Sequence, residues 1–266
     1  MIDIPSCFKR IGYSGATRPT LATLKTLQLA FLLKVPFENL DIHFGRRIKL
    51  SSQNLYKKIV SNNRGGFCYE CNILFSDLLK ALGFRVDYLS ARMATENDTG
   101  PEFDHMALRV RLDHDYLVDV GNGQSCREPL RIDGTNSASS EGYVYRAGSY
   151  NRGLALFYRQ ADEEWMPRFI FTLKPRQRSE FSDRCDYHQT SPDSIFTRQR
   201  LVTMAAPEGR ISLIDMQLVI TNRAEKHESV IYSEDQYDQI LKHNFGIEIT
   251  DHPLRQAKKT VQQGSV

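Results

Sequence analysis

The chain has little net charge, no long apolar run and no regular cysteine framework, and each lack removes a class of protein. Its 266 residues carry 35 Lys+Arg against 32 Asp+Glu, a formal net charge of +3. That is too slight to suggest a nucleic-acid surface, and no basic run with interleaved aromatics occurs. It is compatible with an anionic small ligand. No apolar stretch approaches the roughly 18 residues that a membrane span needs. The start, Met1-Ile2-Asp3-Ile4-Pro5-Ser6, has no basic opening and no apolar h-region, and so reads as no secretory signal. Five cysteines, an odd count without regular spacing, argue against a disulfide framework and fit a reducing cytoplasm. Cys68 and Cys71 form a C-x-x-C pair, but a four-ligand zinc site needs a second pair, and Cys7, Cys126 and Cys185 are scattered. A thioredoxin-like motif wants a strand before it, whereas residues 55–61 read as helix or loop. No metal is therefore expected. No internal repeat or low-complexity segment is visible.

What is present is Arg64-Gly65-Gly66-Phe67-Cys68-Tyr69-Glu70-Cys71-Asn72. Behind it Cys71, Leu74, Phe75, Leu78, Leu79 and Leu82 recur at three- and four-residue steps, one apolar helix face, and Gly83 stops the helix. Cys68 thus stands at a helix start behind a glycine turn, where unpaired N–H groups and the helix dipole favour an anion. A thiol there can have its pKa lowered from about 8.5 towards roughly 3.5–7.5. The competing reading is core filler, since free cysteines are commonly buried and inert. The periodicity assigns Cys71 to that buried face.

Residues 1–83 read as mainly helical. Pro19-Thr20 opens a helix through Leu21, Leu24, Leu27 and Phe31 that closes before Pro36, and Ser51-Ser52 caps one through Leu55, Ile59 and Val60. From Phe84 the period becomes two, through Phe84, Val86, Tyr88 and Met106, Leu108, Val110, Leu112. Asp113-His114-Asp115 marks a hairpin turn, and Leu117-Val118-Asp119-Val120 returns. Residues 131–142 read as loop, and 143–146, 154–159 and 168–173 as strands, giving an antiparallel sheet or barrel. A short helix begins at Ser191-Pro192, followed by strands near 199–205, 211–214 and 217–221 and an amphipathic helix over 233–244. The polar tail from Pro253 is expected to fray.

A catalytic thiol needs a base and a group to orient it. Of seven histidines, His114 sits in a turn, His43 follows a helix and caps or packs, and His188, His227, His243 and His252 lie in polar segments and read as exposed. His105 differs, because it opens an otherwise apolar-alternating strand. Asp119 is a carboxylate inside a strand that reads as buried, so it must be paired or hydrogen-bonded. A tight hairpin would put Asp119 opposite Leu108, so meeting His105 requires a bulge, a longer loop or a diagonal reach.

These residues resemble the arylamine N-acetyltransferases over nearly the whole chain. The segments that carry the resemblance are Phe8-Lys9-Arg10-Ile11-Gly12-Tyr13, Val35-Pro36-Phe37-Glu38-Asn39-Leu40-Asp41, Arg64 to Asn72, His105-Met106-Ala107-Leu108, Leu117-Val118-Asp119-Val120-Gly121-Asn122-Gly123 and Phe245-Gly246-Ile247. The resemblance implies an α+β fold of three domains: a helical bundle (1–83), an antiparallel β-barrel (84–190) and a linking helix with an α/β lid (191–266), around a cysteine-protease-like core. It implies a Cys68-His105-Asp119 triad, acetyl-CoA as donor, and an arylamine or arylhydrazine as acceptor. Phe37 and Asn122 map to the acceptor pocket. Asn122 departs from the family, which usually carries an aromatic there, and so bears on acceptor preference. The segment Gln124 to Leu130, where part of the CoA contact is expected, is only loosely similar. The other readings are a papain-like thiol hydrolase, which uses the same triad geometry, and a binding protein with an inert buried cysteine.

Overall fold

The computed structural model describes residues 2–95, 98–124, 126–151, 153–222 and 225–249. The tail from Pro253, His252 and Ser125 lie outside the described residues. The first part is helical: α1 (Ile4–Ile11), α2 (Leu21–Leu32), a two-residue strand β1 (Phe37–Glu38), the short helices α3 (Leu40–His43) and α4 (Ser52–Leu55), a π-helical segment Tyr56–Ser61, and α5 (Cys68–Ala81). The Thr20 and Ser51 hydroxyls accept hydrogen bonds from the Thr23 and Asn54 N–H groups, which caps α2 and α4. Gly83, at φ +88°, takes the left-handed turn that lets the chain leave α5. Leu24, Leu27, Phe31, Leu74, Phe75 and Leu78 meet in the helical core.

Eight antiparallel strands follow: β2 (Arg85–Met93), β3 (His105–Arg111), β4 (Asp115–Val118), β5 (Leu130–Arg131), β6 (Ala138–Ser140), β7 (Tyr143–Tyr150), β8 (Gly153–Gln160) and β9 (Met166–Phe171). Their spatial order is β5-β4-β3-β2-β9-β8-β7-β6, a sheet curled into a nearly closed barrel. Side chains alternate across a strand, so β2 and β3 serve two cores. Val86, Tyr88, Met106, Leu108 and Val110 pack on the helices, whereas Leu89, Ala91, Ala107, Leu117 and Phe169 fill the barrel.

The chain closes with α6 (Ser182–Thr190), α7 (Ile195–Arg198), β10 (Leu201–Ala206), β11 (Gly209–Ile214), β12 (Gln217–Asn222), β13 (Glu225–Val230) and α8 (Glu234–Phe245). Tyr237, Leu241 and Phe245 of α8 cover Val202 and Leu213 of a five-stranded sheet, whose edge strand is β1. The α+β arrangement is the one implied by the sequence.

Several local expectations change. Residues 131–142 include β5's end and β6, two short strands whose alternation is too brief to read. α6 and β13 carry no apolar period: α6 buries only Cys185 and His188, and every residue of β13 is exposed. His188 is buried rather than exposed, hydrogen-bonded to Ser194 at 3.2 Å and ringed by Tyr69, Tyr187 and Phe196.

A buried charge cluster fixes the Gly65-Gly66 turn ahead of Cys68. Arg64 Nη2 lies 2.7 Å from Glu38 Oε1 and 3.1 Å from Asp41 Oδ1, and Lys58 Nζ lies 2.9 Å from both Asp41 Oδ2 and Glu70 Oε1. Glu38 also accepts from the Gly65 N–H, and Glu70 accepts from the Phe67 N–H at 3.1 Å. The turn has no room for side chains: a Cβ on Gly65 would meet Pro36 O at 2.0 Å, and one on Gly66 would meet Glu70 Cβ at 2.6 Å. Two cations face three carboxylates, and burial with the neighbouring Glu38 charge pushes Glu70 up to about 7 despite Lys58.

That shift has a sign. Unfolded, Glu70 releases its proton near the ordinary 4.5; folded, it does so only near 7, so raising pH between those values destabilises the fold. Glu70→Gln keeps an acceptor for the Phe67 N–H and removes the titration. Its stability relative to wild type should therefore rise by about 2.5 kcal/mol from pH 5 to pH 8. Urea unfolding at the two pH values measures this, and a pH-independent difference would refute it.

Candidate active site

The site lies where the helical core meets the end of the barrel. α5 begins at Cys68, and the thiol is 3% exposed. The loop 112–114 closes the β3–β4 hairpin with Arg111 opposite Asp115 and Leu108 opposite Val118. Asp119 follows the last paired residue, Val118, and continuing that register sets it across from Ala107 rather than Leu108, because Asp115 belongs to the strand and not to the turn. His105 is two residues from Ala107 on the same face, and the diagonal reach closes the gap. His105 Nε2 stands 2.8 Å from Asp119 Oδ2, with both side chains buried.

Asn72, one turn beyond Cys68 on α5, ties the helix to this hairpin. Its Nδ2 donates to Met106 O at 2.7 Å and to Asp119 Oδ1 at 2.9 Å, and its Oδ1 accepts from the Val120 N–H at 3.1 Å. The Gly121 N–H also donates to Asp119 Oδ1. Gly121 lies flat on the start of α5, where a Cβ would meet Cys68 Cα, Cys68 O and Asn72 Nδ2, each at 2.7 Å. The Met106 N–H, next to His105, faces the Cys68 sulfur. The Phe169 ring packs 5.1 Å from the His105 ring. Cys68, His105 and Asp119 are thus gathered at one joint.

Burial opposes ionisation of Asp119, but the facing His105 and the bonds from Asn72 and Gly121 prevail and hold it below the ordinary 3.8. An ionised Asp119 accepts the Nε2 proton, which leaves His105 Nδ1 as the basic nitrogen. Cys68 departs from the sequence expectation. Burial pushes its thiol well up, the Met106 N–H opposes this, and the Asp119 charge adds to the rise. A helix start favours a thiolate only while it faces water or a cation; this one is sealed under the barrel. Cys71 is buried too and donates to Gly66 O at 3.1 Å.

Phe37 is 8% exposed, lies on β1 beside Gly66, and packs on Phe196 at 6.0 Å, which in turn meets Phe67 at 5.8 Å. Asn122 follows Gly121 and accepts a hydrogen bond from Arg168 Nη2 at 3.3 Å. Sequence reasoning did not single out Asn72, Gly121, Met106 or Arg168. Only Asn72 carried a signal, a polar residue within an apolar helix. Among the described residues, no group of three His, Cys, Asp or Glu is placed to hold a metal, and no helix is long and apolar enough to cross a membrane.

A cysteine-bearing helix start docked on a His–Asp pair at a barrel end has the parts of a thiol acyltransferase or hydrolase. Comparison with known proteins separates the two. Residues 20–254 match a family described as N-acetyltransferase. The chain is 31% identical to an arylamine N-acetyltransferase of Mycolicibacterium smegmatis, over 98% of each chain. Its fold is similar to the arylamine N-acetyltransferase of M. tuberculosis, with a TM-score of 0.88 at 30% identity over 97% of this chain and 98% of that one. It is also similar to the Mycobacterium marinum enzyme solved in complex with CoA, with a TM-score of 0.84 at 30% identity over 92% and 93%. The chain belongs to the arylamine N-acetyltransferase family and is an acyltransferase.

Two outcomes test the joint. Gly121→Ala forces backbone apart at Cys68 and should destabilise by about 1–3 kcal/mol in urea unfolding, while slowing alkylation of Cys68. An unaltered midpoint would mean that the contact is not tight. Because the folded pKa of Asp119 is depressed, its contribution to stability is full above the ordinary 3.8 and is lost as pH falls through the folded value. The stability gap between wild type and Asp119→Asn should accordingly narrow from pH 6 towards pH 3.

Proposed function

We propose that the chain transfers an acetyl group from acetyl-CoA to the nitrogen of an arylamine or arylhydrazine, in two steps, through an acetyl-Cys68 intermediate. The observation that carries this reading is the 2.8 Å His105–Asp119 pair held against the helix start that bears Cys68, in a chain of this family. Acetyl-CoA as donor is supported by the CoA complex of the M. marinum relative.

His105 Nδ1 takes the Cys68 proton as the sulfur attacks the thioester carbonyl. The carbon–sulfur bond to CoA breaks, and the leaving thiolate recovers the proton from His105. The acceptor nitrogen then attacks the acetyl-cysteine, passes its proton to His105, and Cys68 leaves as sulfur anion to be reprotonated. Asp119 fixes the imidazole orientation and stabilises its cationic form. The buried thiol gives this scheme its logic: burial disfavours a lone anion, so the proton moves to His105 within the site and the thiolate exists only beside its counter-cation. In this reading Phe37 and Asn122 border the acceptor. Five buried free cysteines fit a reducing cytoplasm.

Intact-mass spectrometry after mixing with acetyl-CoA should show one acetyl adduct, discharged by an arylamine. Cys68→Ala should lack it and Cys71→Ala should retain it; an adduct surviving in Cys68→Ala would remove Cys68 from the mechanism. The alkylation rate of Cys68 against pH reports the thiol. In a folded His105→Gln variant the thiol has lost its proton acceptor, so the alkylation midpoint should rise above that of wild type. An unchanged profile would mean that no ion pair forms.

A further inference from the structure

The backbone is strained just ahead of His105. Phe103 has φ +66°, in the left-handed region that a bulky side chain adopts only where its surroundings impose it. The surroundings here do so from several sides. The Phe103 N–H donates to Ser90 Oγ at 2.7 Å, and the Tyr69 hydroxyl donates to Phe103 O at 2.6 Å. The Phe103 ring packs on Phe181 at 5.1 Å and on the Arg176 guanidinium at 4.9 Å. The next residue, Asp104, is gripped by α6. Arg184 Nε and Nη2 donate to Asp104 Oδ1 at 2.8 and 2.6 Å, and His188 Nε2 stands 3.2 Å from the same oxygen.

The far side of His188 faces Ser194 Oγ at 3.2 Å, so Ser194, His188 and Asp104 stand in the order of a hydrolytic triad. Ser194 is 2% exposed, however, and its oxygen accepts from the Phe196 N–H as the cap of α7. The contact holds His188 rather than activating the serine. Tyr69 is the neighbour of Cys68 on α5, and its ring lies 6.1 Å from that of His188. Whereas Asn72 holds the ends of β3 and β4, Tyr69 reaches the turn before β3. His105 is the first residue of β3 to pair, with Ala91, so the turn decides how it enters the strand. We propose that Tyr69 and His188 are positioning residues for acetyl transfer: they hold the Phe103–Asp104 turn in its left-handed form, and the turn sets His105 where the Cys68 proton can pass to it. Released from them, Phe103 would relax to a commoner backbone region and re-aim the imidazole.

This inference rests on the acetyl-transfer reading. Tyr69→Phe removes one hydroxyl, keeps the ring and alters no charge. It should raise the midpoint of Cys68 alkylation against pH by about half a unit or more, towards that of His105→Gln. It should also slow acetylation at saturating acetyl-CoA about tenfold or more. His188→Leu should act in the same direction, and His188→Gln, whose side-chain N–H can still reach Asp104, should recover at least part of the loss. His188→Leu also leaves Asp104 with Arg184 alone, and the Asp104 charge itself raises the Cys68 thiol, so Tyr69→Phe is the deciding variant. A folded Tyr69→Phe protein with the midpoint and acetylation rate of wild type would overturn the proposal and leave the cluster a structural brace. If Tyr69→Phe does not fold, the His188 variants decide: a shift that His188→Gln partly reverses supports the device, and no shift, or an equal one in both, overturns it. If acetyl-CoA forms no adduct with the wild-type protein, the acetyl-transfer reading falls. The alkylation midpoint, which needs no acyl donor, then still decides whether the turn places His105.

Discussion

Everything at the joint between α5 and the barrel depends on one amide. Asn72 donates both hydrogens of its side chain to the barrel and accepts one back, so a single residue on α5 fixes the ends of β3 and β4 together. Gly121 makes the arrangement possible, because only a residue without a side chain lets the hairpin end lie against the first turn of the helix. Helical core and barrel core each bury their own apolar residues. The cysteine belongs to one and the histidine and aspartate to the other. The meeting of these three side chains is therefore a consequence of docking two cores, and a small displacement between them is felt directly at the sulfur.

The parts of this architecture legible from sequence are those where local chemistry and burial agree. α5 shows itself through its apolar spacing and the glycine after it; α2 and α4 through their hydroxyl caps; β3 through unbroken alternation. Illegible parts fall where tertiary contact decides. The hairpin register hinges on whether Asp115 counts as turn or strand, a matter of one residue that no periodicity resolves. β13 is wholly exposed and exists because β12 offers it an edge to pair with. α6 is polar nearly throughout, so its helix carries no stripe to read. The burial of Cys68 is illegible for a related reason. A glycine turn before a helix reveals where an anion is favoured, but not that a barrel strand will close over the spot.

The three side chains and the loop beside them are held in different ways. Cys68, His105 and Asp119 are fixed by backbone and amide contacts common to the joint, whereas the loop after Asp119 is held by side chains from other strands. Arg127 extends from this loop to Glu141 and to the β10–β11 turn, and Arg168 reaches it from a bulge in β9. Substitutions in the loop can thus leave Cys68, His105 and Asp119 in place.

The buried ions before Cys68 have a consequence for how this sequence can drift. Glu38, Asp41, Lys58, Arg64 and Glu70 come from five separate places along the first 70 residues, and each is the counter-charge of another. Removing one member of a buried pair costs about 3–5 kcal/mol, a large share of the 5–15 kcal/mol by which domains are stable. Single changes there are close to forbidden, whereas joint changes to apolar residues of matching volume can be neutral. The region should change rarely and in blocks. The exposed strand β13 is free to vary residue by residue, and two halves of one protein thus keep different evolutionary time.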